Sequence, residues 1–217
     1  FGTRPETIKM APLVKELATR PEIESIVCVT GQHRQMLDSV LNAFSVTPDY
    51  DLSIMKEKQT LFDITSGVLG GMGEILDRVS PNVVLVHGDT ATAYAASLAA
   101  FYLGVPIAHV EAGLRTYDIN NPFPEEFYRR SISLVSQINF APTEAAAANL
   151  RAEGAKGIFV TGNTVVDALR YTVSENYSTT LQSKIGSRLL VLVTAHRRES
   201  AGHGRREIFR AARRIAE

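Results

Sequence analysis

An α/β protein built on a parallel sheet is what this sequence predicts, and three observations carry that expectation. Short apolar runs at residues 26–29, 83–86, 107–110, 138–141, 158–161 and 189–194 alternate with longer segments of helical periodicity. The runs are apolar nearly throughout, as strands covered on both faces are. Several stop at a glycine or a polar cluster, where an open sheet binds ligands in the crevice outside its strands' carboxyl ends.

At the amino end, Gly2-Thr3-Arg4-Pro5 reads as a strand-to-helix turn. Glycine permits close backbone approach, Thr3 can cap a helix, and Pro5 suits a first turn. Arg4 then projects near a helix N-terminus, which suits a phosphate, and Lys9 lies on the same segment. Pro12 is expected to kink that helix or to begin its regular part. The run at 26–29 ends at Thr30-Gly31-Gln32-His33-Arg34, a polar cluster expected to face the crevice. A helix through Phe44 and a strand at 50–54 follow. After the polar loop holding Lys58 and Gln59, residues 61–78 have helical spacing, with Gly67, Gly70, Gly71 and Gly73 weakening its regularity.

The strand at 83–86 runs into His87-Gly88-Asp89, and the strand at 107–110 runs into Glu111. An alanine-rich helix at 91–101 joins them as a β-α-β unit. Pro124 supplies a first-turn proline for a helix over 125–136, where Glu125 and Glu126 complement the helix dipole. Alternation continues through 138–141, 145–153, 158–161 and a helix opened by Gly162-Asn163-Thr164. Residues 1–175 therefore read as one parallel α/β domain, 176–187 as a polar linker, and 188–217 as the start of a second domain. Its first strand, 189–194, ends at Ala195-His196-Arg197-Arg198-Glu199-Ser200. A glycine before the first helix with no strand ahead of it, and a helical pattern without a stop at Glu217, read as a piece of a longer chain, expected to be inactive by itself.

Composition narrows the function classes. The 217 residues are 45% hydrophobic, enough for a real core, and the 23 basic and 23 acidic residues cancel. No field of the kind that recruits nucleic acid or anionic membranes arises. The single cysteine, Cys28, lies in an apolar run and reads as a small buried hydrophobe. Without a signal peptide or a run near the ~20 apolar residues of a membrane span, a cytoplasmic protein is expected.

Zinc-ligand spacings, a Gly-x-Ser-x-Gly elbow and a full dinucleotide fingerprint are all missing from the sequence. What remains is a set of acids at strand and helix ends, Asp89, Glu111 and Glu125, beside an Arg/Lys phosphate site. That pattern points to proton transfer on a phosphorylated or nucleotide-linked substrate.

The strings FGTRPETIKMAP, VTGQHRQML, VLVHGDT, HVEAGLRT, PFPEE, FAPT, TGNTV and HRRES occur in this order across nearly the whole chain. Together they resemble the non-hydrolysing UDP-N-acetylglucosamine 2-epimerases of bacteria. The resemblance implies a GT-B-like architecture of two Rossmann-like domains. It implies reversible conversion of UDP-GlcNAc to UDP-ManNAc, by loss and re-addition of UDP through a 2-acetamidoglucal, with no cofactor. By motif position it implies Asp89, Glu111, Glu125 and His196 as catalytic groups, and Arg4, Lys9 and Arg197 as substrate ligands.

It further implies a homodimer, and a second UDP-GlcNAc as allosteric activator near Gln32, His33, Lys58 and Gln59. Lys58 stands where many members have arginine, and Tyr128, Ser133, Leu134 and Gln137 also depart from the family pattern. Three other readings stay open: a hydrolysing epimerase, a GT-B glycosyltransferase using UDP-GlcNAc, and a sugar-nucleotide-binding module without turnover.

Overall fold

Helix α1 (Arg4–Leu17) starts on the expected turn: the Thr3 hydroxyl accepts from the Glu6 amide, and the Glu6 carboxylate reaches back to the Thr3 amide. This capping box satisfies donors that a helix start leaves unpaired. Pro12 lies inside the helix, which is already regular from Arg4, so the proline does not begin it. Gly2 packs so tightly that a Cβ there would stand 1.9 Å from Thr30 Oγ1 and 2.8 Å from Thr92 Oγ1. Close approach is thus the reason for that glycine.

The computed structural model describes residues 1–31, 34–56, 58–173, 179–194 and 203–216. They fall into two units, Phe1–Val173 and Ser174–Glu217. In the first unit, β1 (Cys28–Val29) pairs in parallel with β2 (Tyr50–Asp51). Both are shorter than the sequence suggested. The amides of Leu52 and Ile54 still bond to the carbonyls of Val29 and Thr30, but Ser53 between them adopts φ 48° and breaks the extended run. Helix α2 (Arg34–Phe44) lies between these strands in the chain, and α3 (Leu61–Val79) follows, capped by Thr60 with Asp63.

The main sheet has four parallel strands in the order β3 (Val84–His87), β4 (Ile107–Val110), β5 (Ile138–Ala141), β6 (Ile158–Val160). Helices α4 (Ala91–Tyr102), α5 (Glu125–Val135) and α6 (Glu144–Ala152) connect them, and α7 (Thr164–Thr172) follows β6. Register sets Val84 beside Ile107 and His87 beside Val110, so β3 and β4 end level, and both deliver their next residues to one edge. One core cluster joins α3, α4 and α5 to β3 and β4 through Val68, Ile107 and Ile132. Each such aliphatic stabilises the fold by about 1.5–3 kcal/mol through burial. Gly71 of α3 gives way to Leu52, which a Cβ would meet at 2.8 Å, so packing accounts for one of the glycines that weaken this helix. A second cluster around Val29 and Val40 includes Ala11 of α1 and Ala168 of α7.

In the second unit α8 (Thr180–Ile185) falls inside the stretch expected to be a linker, and α9 (His203–Ala216) follows. Residues 189–194, expected as a strand, adopt no regular structure, and Leu189 and Leu192 are almost fully exposed. A strand needs a neighbour for its backbone donors and acceptors, and the described residues of this unit provide none. Among the described residues no helix is long and apolar enough to cross a membrane.

Candidate active site

A cleft of about 340 Å³ opens at the carboxyl ends of β3 and β4, within the first unit. Lys9 and Glu6 line it from α1, His87, Asp89 and Thr90 from the end of β3, Glu111 from the end of β4, and Glu125 and Tyr128 from α5. Four carboxylates and one ammonium therefore share a small volume.

Glu111 is the most constrained of them. Its φ of 63° lies in the left-handed region, which non-glycine residues adopt at some cost. Lys9 Nζ donates to Oε1 at 2.8 Å and to Oε2 at 2.6 Å, and Asn163 Nδ2 donates to Oε2 at 2.7 Å. The same Asn163 caps α7, its Oδ1 accepting from the Val165 amide, so one side chain ties a helix start to the site. Burial works to raise the proton affinity of Glu111. The Lys9 contacts, the neighbouring His87 and Asn163 outweigh it, and the carboxylate is held below its ordinary range. His87 Nε2 stands 3.9 Å from Glu111 Oε2 and has no hydrogen-bond partner among the described residues. Burial pushes the pKa of that imidazole below its ordinary value, against the pull of Glu111.

Asp89 behaves in the opposite way. Burial, reinforced by Glu125 and Glu111 and opposed by Arg129 and Lys9, pushes its pKa up to about 6. Arg129 Nη1 reaches its Oδ2 at 3.3 Å. Glu125 sits in the first turn of α5, and its Oε2 is buried without a hydrogen-bond partner among the described residues. A buried acceptor left open in a cleft is a place for a ligand's donor. Asp89 can thus exchange a proton near neutral pH while Glu111 remains charged, a division of labour that suits acid/base chemistry.

The turns that present these acids are themselves fixed. His109, fully buried in β4, bonds through Nε2 to the Gly88 carbonyl at 2.7 Å. Burial lowers its pKa to about 4, so at neutral pH the ring is uncharged and Nε2–H is the donor to that carbonyl. Glu6 accepts from the Thr90 hydroxyl at 2.6 Å while capping α1, joining the starts of α1 and α4.

Of the residues singled out in the sequence, Lys9, Asp89, Glu111 and Glu125 meet in this cleft. Arg4 lies exposed in the first turn of α1 and does not line it. Lys58 is exposed with φ 54°, and Gln59 Nε2 is engaged by the Ile54 carbonyl at 2.7 Å. Gln32, His33, His196 and Arg197 lie outside the described residues. Among the described residues no group of three His, Cys, Asp or Glu side chains could hold a metal.

Sequence reasoning missed Glu6, His87, Arg129 and Asn163 as parts of the site. Only Glu6 carried a local signal, the Thr-x-x-Glu spacing of a capping box. The departures near α5 have local partners: Ser133 receives Arg115 at 3.1 Å, Gln137 Oε1 accepts from the Ile107 amide at 2.7 Å, and Tyr128 stacks on Tyr94. Leu134 is exposed on the surface.

The family model described as UDP-N-acetylglucosamine 2-epimerase matches residues 15–217. The chain belongs to this family. The UDP-N-acetylglucosamine 2-epimerase of Bacillus subtilis is 54% identical over 217 residues, 99% of this chain and 57% of its own length. The namesake of Campylobacter jejuni is 52% identical over 230 residues, 100% of this chain and 60% of its own. Among solved structures, a putative UDP-N-acetylglucosamine 2-epimerase from Listeria monocytogenes superimposes with a TM-score of 0.93 at 50% identity, covering 99% of this chain and 57% of that one. The S. aureus MnaA–UDP co-structure follows at 0.89 and 49% identity, with the same coverage. These likenesses bear out the GT-B-like α/β class expected for this epimerase-family chain. The chain spans 57–60% of the length of the curated relatives it matches.

Proposed function

We propose that the full-length protein carrying this chain interconverts UDP-GlcNAc and UDP-ManNAc by elimination and re-addition of UDP. The observation that carries this reading is the pairing, in one cleft, of Asp89, with a pKa of about 6, and Glu125, whose buried Oε2 is open. Inverting C2 requires a proton to leave one face of the sugar and another to arrive at the opposite face, so at least two groups must handle protons. In the first half, a carboxylate takes the C2 proton, the C2–H electrons form the C1–C2 double bond, and the C1–O pair leaves with UDP. The second half adds the UDP oxygen back to C1 and delivers a proton to C2 from the other side. Nothing is oxidised or reduced overall, and the step calls for no redox partner.

Asp89 and Glu125 are assigned the proton transfers, and Glu111 with Lys9 supplies a fixed charge pair at the edge of the reacting sugar. Arg4, His196 and Arg197 are assigned to the diphosphate, whose departure needs cationic stabilisation. Relatives support the ligand class: the S. aureus protein was solved with UDP, and a Neisseria meningitidis UDP-GlcNAc 2-epimerase, 53% identical with a TM-score of 0.75 over 78% of this chain and 47% of its own, with UDP-GlcNAc. The same reading includes a homodimer, and a second UDP-GlcNAc bound near Gln32, His33, Lys58 and Gln59 as activator.

The test is to incubate the full-length protein with UDP-GlcNAc alone in D2O and follow products by NMR. UDP-ManNAc deuterated at C2 is the expected result. Free ManNAc with UDP would move the protein to the hydrolysing branch. Turnover only with an added acceptor would make it a transferase, and binding without turnover a binding module.

A further inference from the structure

Glu126 follows the catalytic candidate Glu125 in α5, yet its carboxylate is fully buried away from the cleft. Its Oε1 accepts from the Tyr117 amide at 3.1 Å, and its Oε2 from the Thr116 amide at 3.0 Å. The same Oε2 receives Arg129 Nε at 2.7 Å and lies 2.7 Å from Arg129 Nη2. One edge of the guanidinium is therefore taken up by Glu126. On the side of the cleft Nη1 meets Asp89 Oδ2 at 3.3 Å, longer than a usual charge-assisted hydrogen bond, while Nη2, close to Glu126, makes no hydrogen bond among the described residues. Arg129 is itself buried, so its orientation is set by these partners.

An arginine free to turn would offer Asp89 its fork, two parallel donors at about 2.8 Å, and would trap that acid as a carboxylate. We propose that Glu126 is a positioning residue: by holding the Nε edge of Arg129 it limits the guanidinium to one long contact with Asp89, which keeps Asp89 able to exchange a proton. The inference rests on the proposed epimerase reading for its consequence, though not for its geometry. The charged groups facing Asp89 are Arg129 and Glu125 from α5, Glu111 from the end of β4 and Lys9 from α1. Of these, only Arg129 is in direct contact with Glu126 through its side chain among the described residues.

The experiment uses the full-length protein with Glu126→Gln, which keeps shape and removes the charge that holds Arg129. Asp89 is titrated by its 13Cγ signal, assigned through Asp89→Asn, and kcat and KM for UDP-GlcNAc are measured against pH. The expected result is a midpoint for Asp89 lower by about one pH unit. With it, kcat near neutral pH falls about tenfold and KM stays within about twofold. An unmoved midpoint with wild-type kcat, or a change in KM alone, overturns the inference.

If Glu126→Gln does not fold, Glu126→Asp serves instead. That shorter acid keeps its charge but loses reach to Arg129 Nε, so the guanidinium is released towards Asp89 and the Asp89 midpoint falls; an unchanged midpoint overturns the inference equally. Failure of wild-type protein to epimerise would sink the functional reading alone, because the carboxyl titration needs no turnover.

Discussion

Lys9 and Glu111 stand 102 residues apart in the chain, and the Lys9 ammonium sits across both Glu111 oxygens at 2.8 and 2.6 Å. Both side chains are largely removed from solvent, so the pair is more than a surface ion pair, whose usual worth is about 0–1 kcal/mol. Glu111 gains from it a fixed direction and a fixed charge.

Lys9→Met is expected to release Glu111 and lower kcat on the order of a hundredfold, because the preorganised charge pair proposed at the edge of the reacting sugar is lost. Glu111 then binds protons more readily, since burial remains while its main cation is gone. Steady-state kinetics of the full-length variant check this. A kcat within twofold of wild type would show that the pair serves folding only.

Asp89 holds its proton more tightly in the folded state, at about 6, than the ordinary 3.8. Between those values the native state binds more protons than the unfolded one, so stability falls as pH rises through that window and stays lower above it. Asp89→Asn removes this cost. The variant is expected to melt higher than wild type at about pH 7.5, to lose that advantage below about pH 4, and to lose epimerisation. Thermal melts across pH measure it, and equal melting temperatures at both pH values would refute the assignment.

His109 carries the opposite linkage. Its folded pKa, about 4, lies below the ordinary 6.5, so stability is full above about pH 6.5 and is lost as pH falls towards 4. His109→Gln can still donate to the Gly88 carbonyl but does not titrate. We expect it to be less stable than wild type near neutral pH, by about 1–3 kcal/mol from lost packing, and to show a shallower decline between pH 6.5 and 4. Denaturant unfolding at several pH values separates the two effects.

Gly2→Ala would set a methyl group 1.9 Å from Thr30 Oγ1. A cost of about 1–3 kcal/mol is expected from this overpacking, and Thr30→Ala in the same chain should return part of it. Additive losses in the double variant, measured by urea unfolding, would place the strain elsewhere.

Legibility from the sequence follows how local each feature is. The parallel α/β class, the capped start of α1 and the crevice position of Asp89 and Glu111 were readable, because strand patterning and turn chemistry act over a few residues. The run at 189–194 misled for the complementary reason. Its composition suits a strand, but a strand exists only with a neighbour, and apolar composition cannot say whether one is present. Ser53 similarly shortened β2 through a left-handed backbone that no periodicity announces.

The partnerships inside the cleft were not readable. That Lys9 pairs with Glu111, that Asn163 caps α7 and steadies the same acid, and that Glu126 is buried on Arg129 while Glu125 faces the cleft all depend on contacts across the chain. Sequence patterning set which acids stand at the ends of β3 and β4 and at the start of α5. Whether each acid is charged, protonated near neutral pH or spent on a structural bond was settled by folding, because proton affinity depends on burial and on the nearest opposite charge.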